Sequence, residues 1–210
     1  MTLSHAMNKV KTAQNAILTM QKTLELITTA DFFAQAAQTK DRLEYADGEI
    51  IYNMAGASKE HEQIVSRILS ALFKILDTTQ QEIYSSNRFL YIRACNKFVL
   101  PDVMVVEGEE QIYTDEREGF KPLLNPKIIV EVTSASTKDY DHNEKLECYQ
   151  QIESVKQIIL VSSQKIMVES YTYQSPNEWH YVRLRERNQS LDVAGNRVSI
   201  EEIYRKVVFS

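Results

Sequence analysis

The sequence predicts a single α/β domain in which helices flank a mixed β-sheet. Three observations favour this class. Two apolar, β-branched runs of strand length, 98–106 and 127–133, indicate buried strands. The segment 59–76 carries apolar residues at helical spacing. The segment 128–161 has a strand–helix–strand pattern, and such a crossover requires a parallel pair within the sheet.

Composition and charge exclude several classes of protein. The net charge of −5 argues against a protein that coats nucleic acid through bulk charge, although an enzyme with a local basic patch remains compatible. No apolar run approaches the roughly 20 residues that span a bilayer, and no signal-peptide core is present. We therefore expect a cytoplasmic protein with no membrane partner. Cys95 and Cys148 lack CxxC spacing, so we expect two small buried hydrophobic residues rather than zinc ligands or a disulfide framework.

The N-terminal part divides into an extension and the start of the domain. Residues 1–28 are polar and weakly patterned, and we interpret them as an extension that precedes a domain over 29–210. Thr29 or Asp31 is expected to cap a short helix over 31–37.

A hairpin and the main helix follow. Asp47-Gly48 between two strand-like runs predicts a β-hairpin, because a type I′ turn needs positive φ at both central residues. Ser58 is the expected N-cap of the helix over 59–76, and His61 lies in its first turn.

The remaining elements are predicted from shorter signals. Strands are expected near 82–88, 89–92, 98–106, 128–133, 157–161, 165–173 and 179–184, with a helix over 141–151 capped by Asp141 and a last short helix capped by Ser199. The charged stretch 107–125 contains Gly and Pro and predicts a long loop that could act as a lid or contact substrate.

Two carboxylates lie inside the apolar strand runs, Asp102 in the first and Glu131 in the second. A lone ionised carboxylate in a buried strand costs several kcal/mol unless a cation pairs with it. Two of them on consecutive strands therefore suggest a shared metal ion. Mg²⁺ prefers oxygen ligands. Pro101-Asp102 and Glu131-x-Thr133 resemble the frame of metal-dependent nucleases, which implies that Asp102, Glu131 and the backbone carbonyl of Val132 hold the ion.

Metal-dependent nuclease sites of this kind normally place a lysine two residues after the glutamate, where it orients the attacking water. Thr133 occupies that position here. The following helix offers a replacement in Lys145, which shares a helix face with Asp141 and Tyr149 at i, i+4 spacing.

Taken together, these residues resemble the Uma-type family of restriction endonucleases, a branch of the PD-(D/E)XK nuclease superfamily. The resemblance covers roughly 29–205. It is specific as an ordered set, namely Glu44, Asp47-Gly48-Glu49, His61, Pro101-Asp102-Val103, Val130-Glu131-Val132-Thr133-Ser134, Asp141, Lys145 and Tyr149. In that family a helix lysine replaces the strand lysine, as Lys145 would here. The segment 155–158 departs from the family in lacking glycine and aromatic residues.

The resemblance implies a restriction-endonuclease-like fold and Mg²⁺-dependent hydrolysis of DNA phosphodiester bonds, with Mn²⁺ as a substitute. In this scheme Asp102, Glu131 and Lys145 are catalytic. Glu49 is an additional acidic ligand, and His61 and Tyr149 contact the substrate or the groups around the metal. Cleavage of both strands of a duplex would favour a homodimer, since two-fold symmetry matches the duplex.

Ordinary structural interpretations remain open beside these roles. Asp102 could end a strand, Glu131 could be solvated on an edge strand, and Lys145 could form only a surface ion pair. His61 and Glu49 could be structural or solvated. The missing strand lysine also allows a non-catalytic module that binds nucleic acid or protein, and the same site could serve an RNA-specific or structure-specific nuclease.

Overall fold

The computed structural model describes residues 26–52, 58–114, 120–134 and 144–209. Within these ranges the helices are α1 Thr29–Gln38, α2 Lys59–Ile75, α3 Leu146–Tyr149 and α4 Ile200–Ile203. The strands are β1 Leu43–Ala46, β2 Glu49–Tyr52, β3 Gln81–Ser85, β4 Leu90–Ile92, β5 Lys97–Val99, β6 Val103–Glu107, β7 Pro126–Thr133, β8 Gln157–Ser162, β9 Val168–Ser175, β10 Glu178–Leu184, β11 Ser190–Val193 and β12 Asn196–Ser199. A short 3₁₀ helix, Arg93–Cys95, joins β4 to β5.

The strands form a six-stranded sheet, a four-stranded sheet and a hairpin. The six-stranded sheet has the order β10-β9-β8-β7-β6-β3, and the four-stranded sheet has the order β2-β1-β5-β4. β7 and β8 are parallel, whereas the other neighbours in both sheets are antiparallel. The predicted α/β class, with a mixed sheet and one crossover, is thus confirmed.

Side chains alternate across β7, and this alternation decides which face carries its acidic residue. Val130 and Val132 pack in the apolar cluster that contains the buried face of α2. Ile129 packs in the opposite cluster, which contains Tyr149 of α3. Because Glu131 is two residues beyond Ile129, its side chain lies on the face covered by α3.

The two strongest local predictions hold. Asp47 and Gly48 have φ values of 47° and 93°, as the turn between β1 and β2 requires. The Ser58 side chain accepts a hydrogen bond from the backbone N–H of His61, which caps α2 at the predicted residue. The cap of α1 is Thr28, one residue before the predicted Thr29, and its hydroxyl accepts from the backbone N–H of Asp31.

The prediction of a single strand over 98–106 is wrong. The structure divides it into β5 and β6, which belong to different sheets. Pro101 explains the break, because proline has no backbone N–H for a ladder and restricts the residue before it. Asp102 consequently lies where the chain crosses from the four-stranded to the six-stranded sheet.

Other boundaries also differ from the sequence predictions. The helix expected over 141–151 is α-helical only over Leu146–Tyr149, and its proposed cap Asp141 lies outside the described residues. The hairpin of β11 and β12 was not predicted, since its strands have only four residues each.

Cys95 and Cys148 form a disulfide, with their Cα atoms 5.9 Å apart. The expectation of two separate buried hydrophobic residues is therefore wrong. The cysteines are 53 positions apart in sequence, and only the fold brings the 3₁₀ helix beside α3. Disulfides are typical of oxidising compartments, whereas the cytoplasm is reducing, so the disulfide does not support the predicted cytoplasmic location. That location stays a prediction.

Candidate active site

Asp102 and Glu131 occupy neighbouring positions at one end of β6 and β7. These strands are antiparallel, and Val103 pairs with Val130. One step further along, Asp102 lies opposite Glu131. Glu131 contacts Lys145 and Tyr149 at the two ends of α3, whereas Asp102 contacts His61 in the first turn of α2. The two residues are 3% and 4% exposed. The fold therefore brings together the two carboxylates that the sequence singled out.

Both oxygens of Asp102 accept hydrogen bonds from other parts of the chain. Oδ2 accepts from the Val132 backbone N–H at 2.8 Å and bonds to Nε2 of His61 at 3.1 Å. Oδ1 accepts from the Arg42 guanidinium at 3.3 Å. The first turn of α2 thus supplies the histidine, and the residue before β1 supplies the arginine.

These contacts shift the protonation equilibria of the pair. Burial opposes ionisation of Asp102, but His61, Arg42 and the Val132 N–H outweigh it and lower the pKa of the carboxyl. Burial likewise disfavours a charged His61, and the hydrogen bond and charge of Asp102 outweigh it and raise the imidazole pKa. Each partner therefore stabilises the charged form of the other.

Lys145 lies between two buried carboxylates. Its Nζ donates to Oε1 of Glu131 at 3.2 Å and to Oε1 of Glu44 at 2.9 Å. The Tyr149 hydroxyl donates to the same Glu131 oxygen at 2.6 Å. Lys145 immediately precedes α3 and Tyr149 ends it. This short helix therefore places both side chains over β7, and Lys145 reaches Glu131 although Thr133 occupies the usual lysine position.

Glu44 is the acidic residue of the first hairpin that enters the cluster. It is fully buried, and its Oε1 also accepts from the Leu100 backbone N–H at 2.9 Å. Glu49, the additional acidic ligand that the resemblance implies, is exposed at the start of β2. Its role stays a prediction that the described contacts do not support. The available signal for Glu44 was its position between Leu43 and Tyr45 in a strand, the same pattern that drew attention to Glu131.

Arg42 also belongs to the cluster, although the sequence did not single it out. Its Nη1 donates to Asp102, and its Nη2 donates to the Leu100 carbonyl at 2.5 Å. Its side chain is 34% exposed, so the cluster reaches solvent on this side. A single arginine before a strand carries no pattern that would single it out.

The donors at this site suit a hard divalent cation in chemical type. Oε2 of Glu44 is buried and has no hydrogen-bond partner among the described residues, which is unfavourable unless a donor or cation satisfies it. Within the described ranges, no group of three or more His, Cys, Asp or Glu residues is arranged to hold a metal. A ligand set built on Asp102 and Glu131 would therefore need backbone or water oxygens to complete it. The proposed Val132 carbonyl is one such backbone oxygen.

Comparison with known proteins gives the class and then the family. The solved structure of "a putative nuclease belonging to DUF820" from Anabaena variabilis has a TM-score of 0.63 and 17% identity to this chain, and the match covers 81% of this chain and 93% of that one. At this identity the likeness shows the fold, which is nuclease-like. The chain belongs to the Uma2 family, described as "putative restriction endonuclease", whose model matches residues 29–199.

Two relatives from Synechocystis sp. match this chain over most of their own length. The uncharacterized protein sll1609 of Synechocystis sp. is 29% identical over 170 residues, which cover 81% of this chain and 94% of that protein. The uncharacterized protein slr1290 of the same organism is 26% identical over 184 residues, which cover 87% of this chain and 94% of that protein.

The helices in the described part of this chain are too short or too polar to cross a bilayer.

Proposed function

We propose that this protein is an endonuclease that hydrolyses phosphodiester bonds in DNA, with Mg²⁺ or Mn²⁺ as cofactor. One observation carries the proposal: the buried Lys145 ammonium lies 3.2 Å from Glu131, on the strand beside Asp102. The family and the nuclease-like fold support an enzyme of this general kind. The metal, the DNA substrate and the residue roles are parts of the proposal itself.

Each residue of the cluster has a defined task in this scheme. Asp102, Glu131 and the Val132 carbonyl would hold the cation, which lowers the pKa of a bound water and offsets negative charge on the phosphate. Lys145 supplies a fixed positive charge beside Glu131, where it orients the attacking water. Tyr149 holds Glu131 in place through its hydroxyl. In the reaction, the water oxygen bonds to phosphorus and gives up a proton to solvent, while the bridging P–O bond breaks and the leaving oxygen takes up a proton from solvent.

Glu44 and His61 act by positioning their neighbours. Glu44 accepts a hydrogen bond from Lys145, so it fixes the ammonium from the side opposite Glu131. His61 bonds to Asp102 and favours its ionised form, which is the form that binds metal.

A plasmid-nicking assay tests the proposal. Purified protein should nick supercoiled DNA with Mg²⁺ or Mn²⁺ and not with a chelator. Asp102→Asn, Glu131→Gln and Lys145→Met should each lower the rate about 100-fold or more, as expected when a group that stabilises transition-state charge is lost. Lys74→Gln is the control, because it removes an exposed ion pair with Glu202. Circular dichroism at the assay temperature separates loss of activity from loss of fold.

Two other outcomes would change the assignment. Tight DNA binding without cleavage under any metal would favour a non-catalytic module, for which Thr133 in the lysine position is the supporting observation. Preferential cleavage of RNA or of branched DNA would favour an RNA-specific or structure-specific enzyme.

We also propose that the protein binds DNA as a homodimer, since two sites related by two-fold symmetry match the two strands of a duplex. Light scattering of the protein–duplex complex measures its oligomeric state.

A further inference from the structure

Arg42 lies at the solvent-facing side of the cluster. Its side chain is 34% exposed, compared with 12% for His61 and 4% for Lys145, two further basic residues among the described ones that bond to these carboxylates. A DNA phosphate has to approach from solvent. Arg42 is therefore the cation that an incoming phosphate meets before it reaches the more deeply buried groups.

The guanidinium of Arg42 has hydrogen-bonding capacity that its contacts do not use. Nη1 donates to Asp102 and Nη2 donates to the Leu100 carbonyl, while the buried Nε has no acceptor among the described residues. A guanidinium carries five N–H donors in a fork that matches phosphate oxygens. Arg42 thus has an unsatisfied donor next to a predicted metal ligand.

The two oxygens of Asp102 are held unequally. Oδ2 bonds to the Val132 N–H and to His61, at 2.8 and 3.1 Å, whereas the contact given by Arg42 to Oδ1 is longer, at 3.3 Å. A divalent cation that binds Asp102 needs one of these oxygens. Arg42 is the partner most easily displaced, because its contact is the longest and its side chain is the most exposed.

We propose that Arg42 is a phosphate-binding residue that occupies Asp102 in the free protein and turns to the DNA phosphate when the cation binds. The proposal rests on the nuclease function proposed above. A divalent cation and a guanidinium beside one carboxylate repel each other, and a phosphate between them removes the repulsion. Arg42 would therefore oppose metal binding without DNA and favour DNA binding with metal.

The test compares wild type, Arg42→Gln, Arg42→Lys and a matched control. Arg187→Gln is the control, because Arg187 also bonds one carboxylate, of Glu201 at 3.3 Å, and one backbone carbonyl, of Tyr204 at 3.1 Å. Calorimetry with Mg²⁺ alone measures metal affinity. Fluorescence anisotropy of a short labelled duplex, with Ca²⁺ and with chelator, measures DNA affinity. Thermal melts establish that each variant is folded.

Arg42→Gln should bind Mg²⁺ about tenfold more tightly without DNA and bind the duplex about tenfold more weakly with Ca²⁺, within the range typical of coupled sites. With chelator the loss of DNA affinity should disappear. The slope of log affinity against log salt should fall by about one only when Ca²⁺ is present. Arg42→Lys should keep wild-type metal affinity and lose part of the DNA affinity, because lysine retains the charge but not the fork.

Two results would overturn the inference: weaker Mg²⁺ binding in Arg42→Gln, or a loss of DNA affinity that is the same with and without Ca²⁺. Either result would mean that Arg42 only holds Asp102 in place. In that case wild type would still bind metal and DNA, and the proposed nuclease function would stand. Wild type that binds neither Mg²⁺ nor duplex would overturn both proposals. The wild-type measurements therefore distinguish the two failures.

Discussion

Lys145 is a buried ammonium shared by two buried carboxylates, Glu44 and Glu131. All three side chains are at most 5% exposed. In such a setting the desolvation of each charge is large. The mutual contacts compensate for it, together with hydrogen bonds from the Leu100 backbone N–H to Glu44 and from the Tyr149 hydroxyl to Glu131. The group therefore behaves as one unit, and the effect of changing one member depends on the others.

Removing the lysine alone should strongly destabilise the protein. Lys145→Met leaves two buried carboxylates without their shared cation, and we expect the free energy of unfolding to fall by about 3–5 kcal/mol. Lys145→Met combined with Glu44→Gln should lose less than the single variant, because one uncompensated charge is also removed. Urea denaturation measures both. A double variant that loses the sum of the two single effects would contradict the shared-cation interpretation.

The Asp102–His61 pair predicts a defined pH dependence of stability. The pKa of Asp102 is lowered from its ordinary value of 3.8, so its contribution is present above that pH and is lost as pH falls through the lowered pKa. The pKa of His61 is raised from 6.5, so its contribution is complete below 6.5 and is lost as pH rises through the raised pKa. The pair should therefore stabilise the metal-free protein most between about pH 4 and 6.5.

Thermal melts with chelator across this range measure that dependence. His61→Gln should reduce the fall in melting temperature on the alkaline side, since glutamine does not titrate. Lys74→Gln should show the same dependence of melting temperature on pH as wild type. An unchanged alkaline side in His61→Gln would show that another group causes the dependence.

At the scale of elements, α3 has only four residues yet contributes to both the site and the disulfide. Lys145 precedes it, Tyr149 ends it, and Cys148 bonds to Cys95 in the 3₁₀ helix. A helix of one turn is unstable in isolation, because nucleation is unfavourable and few hydrogen bonds repay it. Tertiary contacts therefore hold α3, and the disulfide is one of them.

Removing this disulfide should make the segment 145–149, which carries Lys145 and Tyr149, less rigid. In Cys95→Ala/Cys148→Ala we expect the free energy of unfolding to fall by about 2–4 kcal/mol, as is typical for native disulfides. The nicking rate should fall as well, since Lys145 and Tyr149 flank Cys148. Reductant should have the same effects on wild type and none on the double variant. A thiol titration that finds two free cysteines in the native, unreduced protein would contradict the bond.

At the scale of the whole molecule, the site lies where the two sheets meet. Glu44 comes from the four-stranded sheet and Glu131 from the six-stranded sheet, and Pro101-Asp102 is the crossing between them. The aromatic cluster around α1 and β1 includes Phe32, Tyr45 and Phe98 and packs against one face of β1, the strand that carries Glu44. The cluster of charges is therefore assembled from elements that are distant in sequence.

The sequence by itself determined the features that depend on a few neighbouring residues. The Asp47-Gly48 turn, the Ser58 cap and the β7–β8 crossover follow from turn chemistry, capping and apolar periodicity, which act locally. Asp102 and Glu131 stood out for the same reason, since a charge within an apolar run needs no knowledge of distant contacts. Lys145 followed from helix spacing and family resemblance.

The tertiary structure decided which distant residues complete the cluster. Glu44 and Lys145 are 101 positions apart, and Arg42 and Asp102 are 60 apart. No local pattern encodes such pairs, because they depend on how two sheets pack and where Pro101 breaks the strand. The choice of Glu44 over Glu49 has the same cause. The register puts both side chains on one face of the hairpin, but β1 is an interior strand paired with β5, whereas β2 is the edge strand of the sheet. Glu44 is therefore buried and Glu49 exposed.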